Sequence, residues 1–312
     1  MSQLSAFAAP GRFWRGNLHT HSTLSDGRLP PAEVCAAYRR AGYDFMQLSE
    51  HFLGRFDWPV ADTRRFRDAH FTTLIGAELH APMTEVGELW HIVAAGLPLD
   101  FAPAREGEDA AALAWRAREA GAFVGIAHPA WSQLTVEDGR AIEAAHAVEI
   151  YNHGCAIEND RGDGFYLLDQ LLNEGRHLSA FATDDAHFTH GEQDAFGGWV
   201  HVKATALDPD LILDALKRGD YYSSQGPTFE RVDIDGDMLT VVCSPVNAIS
   251  IMGGTSRSVT RVGHAIGGGV FDLRKLTQSW LPEQRRSAWL RVVAIDASGR
   301  RAWTNPFWPD EM

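Results

Sequence analysis

The sequence predicts an α/β protein of parallel strands joined by crossover helices, a barrel or an open sheet, followed by a small β-sandwich-like domain. Three observations predict it. Short apolar runs alternate with helix-period segments up to about residue 220. After Gly226-Pro227 the helical segments stop, and short apolar runs are separated only by turn residues. A chain of 312 residues suits one large domain plus a smaller one. The expected division is 1–225 and 226–312.

In order, residues 13–18 read as a strand and 30–41 as a helix, with Pro30 and Pro31 suited to its first turn and Gly42 to its C-terminal cap. Strands are expected at 43–48, 72–77 and 92–97, and an alanine-rich helix at 108–120, ended by Gly121. Then follow strand 123–127, helix 136–145, strand 148–151, helix 165–174, strands 178–182 and 199–204, and helix 211–218. The second part offers strands at 232–234, 239–243, 248–252, 269–273, 289–295 and 301–304. Asp235-Gly236-Asp237, Gly253-Gly254, Gly267–Gly269 and Ser298-Gly299 supply the turns. Trp280, Trp289, Trp303 and Trp308 give this part apolar surface that needs burial, with the larger domain as nearest partner.

Hydrophobic residues make up 45% and charged residues 22%, a composition that supports a packed core. The net charge of −13 disfavours a long nucleic-acid partner, although bound cations would make a site locally positive. Cys35, Cys155 and Cys243 are odd in number and lack a CxxC pair, which argues against a disulfide framework and fits a reducing cytoplasm. Residues 1–16 lack a secretory pattern, and no run approaches the roughly 18 apolar residues of a membrane span. A soluble cytoplasmic protein is expected.

The chemistry-bearing residues recur by position. In His19-Thr20-His21 an extended chain points both imidazoles to one side, and Asp26 lies in the turn beyond. His51, Glu78, His128, and Asp185 with His187 each follow a predicted strand closely. That is the rim where α/β proteins build active sites. Imidazoles with carboxylates suit zinc, manganese or iron better than magnesium or calcium. Two or three divalent ions are expected. Gly267–Gly269 lacks a Gly-Lys-Ser/Thr ending, and no Gly-x-Ser-x-Gly is present, so a phosphate loop and a serine hydrolase are disfavoured.

His-x-His-x4-Asp-Gly at 19–27, Ser49-Glu50-His51, Glu78, Ala127-His128-Pro129 and Asp185-Ala186-His187 resemble, in order and spacing, the motifs of the PHP (polymerase and histidinol phosphatase) family. The resemblance covers about residues 12–225. It implies a distorted seven-stranded (β/α) barrel with up to three metals. By it, His19, His21, Glu78 and Asp185 hold one ion, Glu78 and His128 a second, and Asp26, His51 and His187 a third. The family's ninth ligand follows the strand at 148–151; here Asn152 falls nearest, with His153 beside it. Glu149-Ile150-Tyr151-Asn152, Tyr222–Pro227, Cys243-Ser244-Pro245 and Ala302–Pro306 resemble the branch of that family that includes carbaryl hydrolase and carries a C-terminal β domain.

The expected activity is metal-assisted hydrolysis by a hydroxide bridging two ions, with Glu78, Asp185 and His187 as catalytic residues. A phosphoesterase acting on a small phosphorylated molecule comes first. A carbamate, amide or carboxylic ester hydrolase comes second, and a non-catalytic metal- or partner-binding protein third. His80, Arg161, His190 and Lys203 are candidate substrate contacts. His91, opening a strand, reads as structural.

Overall fold

The computed structural model describes residues 2–276 and 287–312. A short strand β1 (Ser2–Gln3) and helix α1 (Ser5–Ala8) precede β2 (Arg12–Asn17). Helix α2 (Pro31–Arg40) starts on a proline, which suits a position without an intrahelical N–H partner. Val34, Cys35, Ala37 and Tyr38 form its buried stripe, and Arg39 and Arg40 complement its C-terminal dipole.

Strands β3 (Phe45–Leu48), β4 (His51–Phe52) and β5 (Thr72–Ala81) follow. The next are β6 (Trp90–Ala95), helix α3 (Ala110–Glu119), β7 (Phe123–Ile126), helix α4 (Val136–Ala141) and β8 (Ala147–Asn152). Then come helices α5 (His153–Asn159) and α6 (Phe165–Asn173), β9 (Ser179–Thr183), β10 (Trp199–Ala204), helix α7 (Pro209–Arg218) and β11 (Tyr221–Ser224). Helix α7 is bounded by Asp208, which accepts from the Asp210 and Leu211 amides, and by Gly219 at φ 78°.

Strand order corrects the expectation of uniformly parallel pairing. β2, β3 and β5 pair in parallel, as do β7, β8 and β9. Strand β6, however, runs antiparallel to both β5 and β7, and β10 antiparallel to β2 and β11. The segment between β5 and β6 is too short for a crossover helix, so the chain must turn back on itself. Helix α4 stops at Ala141, short of the expected 145, and Ile142, Ala144 and Ala145 are buried beyond it.

The strands form a mixed sheet that curls. Phe45, Leu74, Val93, Phe123, Phe181 and Val200 meet in one buried cluster, although they come from well-separated strands of the path. The path β2-β3-β5-β6-β7-β8-β9 is open as hydrogen-bonded. Past its end, the Asp185 amide donates to His19 O and the His21 amide to Ala186 O, both at 2.9 Å. The chain beyond β9 is thereby fastened to the chain beyond β2.

The C-terminal strands are β12 (Phe229–Asp235), β13 (Met238–Gly253), β14 (Ser258–Asp272), β15 (Leu290–Ile295) and β16 (Arg301–Thr304), all antiparallel to their neighbours. The two strands expected at 239–243 and 248–252 are one, with register shifts against β14 between Val242 and Ala248 absorbing the interruption at Pro245. Strand β16 pairs with β11, so both parts share one sheet path. β1 pairs with β12, and Leu4 and Phe7 enter the C-terminal core.

Trp289 and Trp303 are buried in the same cluster as Leu167, Leu168, Leu171 and Leu172 of α6. Trp289 Nε1 donates to Asn173 Oδ1 at 3.1 Å, and Trp308 stacks on His177 at 3.9 Å. Buried Arg291 pairs with Asp169 and lies 4.4 Å from the Phe165 ring. Trp280 lies outside the described residues.

Candidate metal centre

The extended chain after β2 carries His19 and His21 inward, both fully buried. His51 opens β4, and its register opposite Glu78 of β5 puts the two side chains on one rim. His128 follows β7 and Asp185 follows β9, with positive φ of 21° and 54°. Such backbone costs about 1–3 kcal/mol in a non-glycine residue and concentrates at functional sites.

Glu78 is the hub. Its Oε1 lies 2.8 Å from His91 Nδ1, 3.2 Å from His128 Nε2 and 3.3 Å from His19 Nε2. Its Oε2 lies 2.6 Å from His51 Nδ1. Asp185 Oδ1 reaches His21 Nε2 at 2.9 Å and His19 Nε2 at 3.1 Å. Asp26 lies 3.3 Å from His51 Nε2 through Oδ2 and 3.3 Å from His187 Nε2 through Oδ1.

Four groups offer ligand atoms to a common point: His21/Asp26/His51/His187, His51/Glu78/His80/His91, His19/His21/Asp185 and His19/Glu78/His128. All eight residues singled out at strand ends are brought together here.

The imidazoles are oriented from behind. His19 Nδ1 meets Glu149 Oε1 at 3.1 Å, His128 Nδ1 meets Ser132 Oγ at 3.0 Å, and His187 Nδ1 meets Asp185 O at 2.9 Å. His51 Nδ1 meets His80 Nε2 at 2.9 Å. With Nδ1 engaged, His19 and His128 turn Nε2 to Glu78, the arrangement that orients metal-binding histidines, while His51 and His187 turn Nε2 to Asp26. Two buried atoms at the centre, His19 Nε2 and Glu78 Oε2, have no hydrogen-bond partner among the described residues. Such a vacancy in bonding is costly unless a cation completes it.

Burial opposes protonation of His51 and His187, yet Glu78 and Asp26 raise the first to about 10, and Asp26 and Asp185 raise the second to about 9. Burial opposes charge on Glu78, yet His91, His19 and His51 hold its carboxyl well below the usual range. Burial, reinforced by His51 and His187, pushes His21 down to about 3, so it is a neutral ligand near pH 7.

The candidate ninth position is used differently. Asn152 Oδ1 caps α5 by accepting from the Cys155 amide at 2.9 Å. Its Nδ2 donates to Asp185 Oδ2 and Glu149 Oε2, each at 3.1 Å. Helix α5 was not expected, and Asn152 as its N-cap is the physical reason it forms. His153 Nδ1 meets the Tyr151 hydroxyl at 2.9 Å. His91, read as structural, instead touches Glu78. Its signal was adjacency, since a strand returning from Glu78 in a hairpin must pass beside it. Glu149 was also missed, because a carboxylate inside an apolar strand carries no spacing signature.

A cavity of about 400 Å³ opens over this centre. Leu53, Leu89 and Trp131 wall it, with Arg55, Glu158 and Thr189 at its mouth. His80 lines it. Arg161, His190 and Lys203 are not among its lining residues. In β10, Val200, Val202 and Ala204 take the inward positions, so Lys203 faces out and lies over the Phe13 ring at 4.6 Å. Arg161 and His190 are exposed on loops beside the cavity lining. A larger cleft of about 730 Å³ lies at the opposite ends of the strands. Its Arg118 and Arg176 are engaged with the carbonyls of Ala144, Gly139 and Ile142, and no candidate ligand lines it.

No protein-family model matches the sequence, and no curated protein does. Solved structures do resemble it. One is a two-domain protein from Bacteroides vulgatus ATCC 8482 described as containing a predicted PHP-like metal-dependent phosphoesterase. It is 16% identical, with 85% of this chain and 88% of that chain covered at a TM-score of 0.50. Another is an amidohydrolase from Chromobacterium violaceum with bound sulfate and no metal. It is 14% identical over 55% of this chain and 87% of that one, at a TM-score of 0.40. At such identities the first likeness speaks for the fold alone, and the second carries no argument.

Proposed function

We propose that the protein is a metal-dependent hydrolase of PHP type that cleaves small phosphoesters, with residues 1–225 as its catalytic barrel and 226–312 as a packaging β domain. One observation carries the reading: His19 and His128, each held at Nδ1, turn Nε2 to the buried Glu78 and Asp185 carboxylates, while His51 and His187 turn Nε2 to Asp26 at the rim. The unpartnered His19 Nε2 and Glu78 Oε2 fit a bound cation. Imidazoles with carboxylates suit zinc, manganese or iron.

His19, His21 and Asp185 would hold one ion, with Glu78 alongside. Glu78, His128 and His91 would hold a second, His91 standing where the family pattern led to Asn152. Asp26, His51 and His187 would hold a third. Bound there, the ions supply Lewis acidity and lower the pKa of a coordinated water. Glu78 and Asp185 place negative charge between the positions, and Glu149 keeps His19 in the tautomer that exposes Nε2. Trp131, Leu53 and Leu89 would exclude water around the substrate body. Arg55, the one Lys or Arg among the described lining residues, favours an anionic substrate. The three cysteines are free and buried, which fits the reducing cytoplasm. No helix among the described residues is long and apolar enough to cross a membrane.

Elemental analysis followed by a substrate panel tests this. Two or three equivalents of divalent metal are expected, with turnover of p-nitrophenyl phosphates that chelation abolishes and Mn²⁺ or Zn²⁺ restores. Turnover confined to carboxylates or carbamates would replace the phosphoester reading. Full activity in metal-free protein would overturn the mechanism.

A further inference from the structure

His80 stands behind the centre, almost fully buried, on the strand that carries Glu78. Its Nδ1 is 3.1 Å from the Trp90 carbonyl oxygen, and its Nε2 is 2.9 Å from His51 Nδ1. A carbonyl oxygen only accepts, so the neutral His80 ring carries its hydrogen on Nδ1. Its Nε2 is then a bare lone pair. The His51–His80 contact is a hydrogen bond only if His51 Nδ1 donates. The alternative acceptor for that hydrogen is Glu78 Oε2, 2.6 Å from the same nitrogen, yet that oxygen accepts no hydrogen bond. The direction of the ring N–H therefore selects His80. With its hydrogen on Nδ1, His51 presents a lone pair on Nε2, the atom 3.3 Å from Asp26 Oδ2.

We propose that His80 is a positioning residue that fixes the tautomer of His51. The Trp90 carbonyl sets His80, and His80 sets His51. His80 thus does for His51, through a neutral acceptor, what the Glu149 carboxylate does for His19. A neutral acceptor leaves no second anion beside Glu78. This inference rests on the reading that Asp26, His51 and His187 share an ion. His80 itself is not a ligand in it.

The test compares two substitutions that split the ring's functions. His80→Asn keeps a polar group near Nδ1 for the Trp90 carbonyl and loses the acceptor at Nε2. His80→Gln restores a carbonyl oxygen at the Nε2 position. Metal affinity is read by competition with a chromophoric chelator, and folding by circular dichroism and Tm. In His80→Asn the weakest-held ion should bind about 10–100-fold less tightly, with the other ions unchanged, and His80→Gln should recover most of the loss. In the unsubstituted protein, long-range ¹H–¹⁵N correlation, with and without zinc, should show the His51 hydrogen on Nδ1 in both states. Equal affinities in all three proteins would overturn the proposal. So would an equal loss in both variants, which identifies His80 as a direct ligand. The metal-free spectrum decides the tautomer even if a variant fails to fold. A His51 ring that carries its hydrogen on Nε2 with Nδ1 bare overturns the relay, whereas absence of metal from the native protein overturns only the reading it rests on.

Discussion

His91 Nδ1 lies 2.8 Å from Glu78 Oε1, while Asn152 turns its amide nitrogen, not its oxygen, toward Asp185. The two positions therefore answer differently to truncation. His91→Ala should lower the bound metal by up to one equivalent. Asn152→Ala should leave metal content near native and cost about 1 kcal/mol through loss of the α5 cap. Elemental analysis with denaturant titration separates them, and metal loss confined to Asn152→Ala would reverse the assignment.

Glu78 touches more of the candidate ligands than any other carboxylate here, through both of its oxygens. Glu78→Gln should reduce metal content more than His190→Ala, whose side chain is exposed on a loop. Its turnover should fall on the order of 10²-fold or more, as expected when activation of a metal-bound water is lost. Native metal content together with native rate in Glu78→Gln would remove Glu78 from the centre.

Trp303 is buried and lies 5.7 Å from Phe165 and 6.2 Å from Tyr151, between centroids. Trp303→Ala opens a cavity where β16 meets α6 and should cost about 3–5 kcal/mol. A fragment ending at residue 225 loses Trp289 and Arg291 as well, and should be insoluble or unstable. A soluble 1–225 fragment with full metal content and unchanged kinetics would show that the remainder is an independent module.

Trp199 Nε1 donates to His201 Nε2 at 2.9 Å, which requires the unprotonated ring. Burial, with Arg15 adding to it, pushes this imidazole down to about 3. The unfolded chain takes up the proton near 6.5. Between roughly pH 6.5 and 3 the unfolded state therefore binds more protons, and stability falls as pH falls. The contribution is fully present above that window. His201→Gln retains an acceptor and does not titrate. In metal-stripped protein its stability loss from pH 7 to pH 5 should be smaller than native, by on the order of 1–2 kcal/mol. Identical losses would show that His201 is not a source of the acid sensitivity.

The sequence by itself determined the candidate ligands at strand ends, because strand periodicity and the strand-end rim are local properties. His19 and His21 share a side by alternation alone, and Pro31, Asp208 and Gly219 mark helix ends through backbone chemistry. The tertiary structure decided the rest. Whether β6 runs parallel or antiparallel depends on what lies beside it, and that choice brings His91 to Glu78. Asn152 caps α5, a role that exists only because that helix starts behind it. Glu149 and His80 act through contacts made far along the chain or across a hairpin, so no spacing announces them. Lys203 and Arg161 were candidates by charge, and the facing of β10 and the path of the loop after α5 leave both outside the cavity lining. Local sequence specifies which groups can bind a cation, whereas the direction in which each ring points is set by neighbours that only folding supplies.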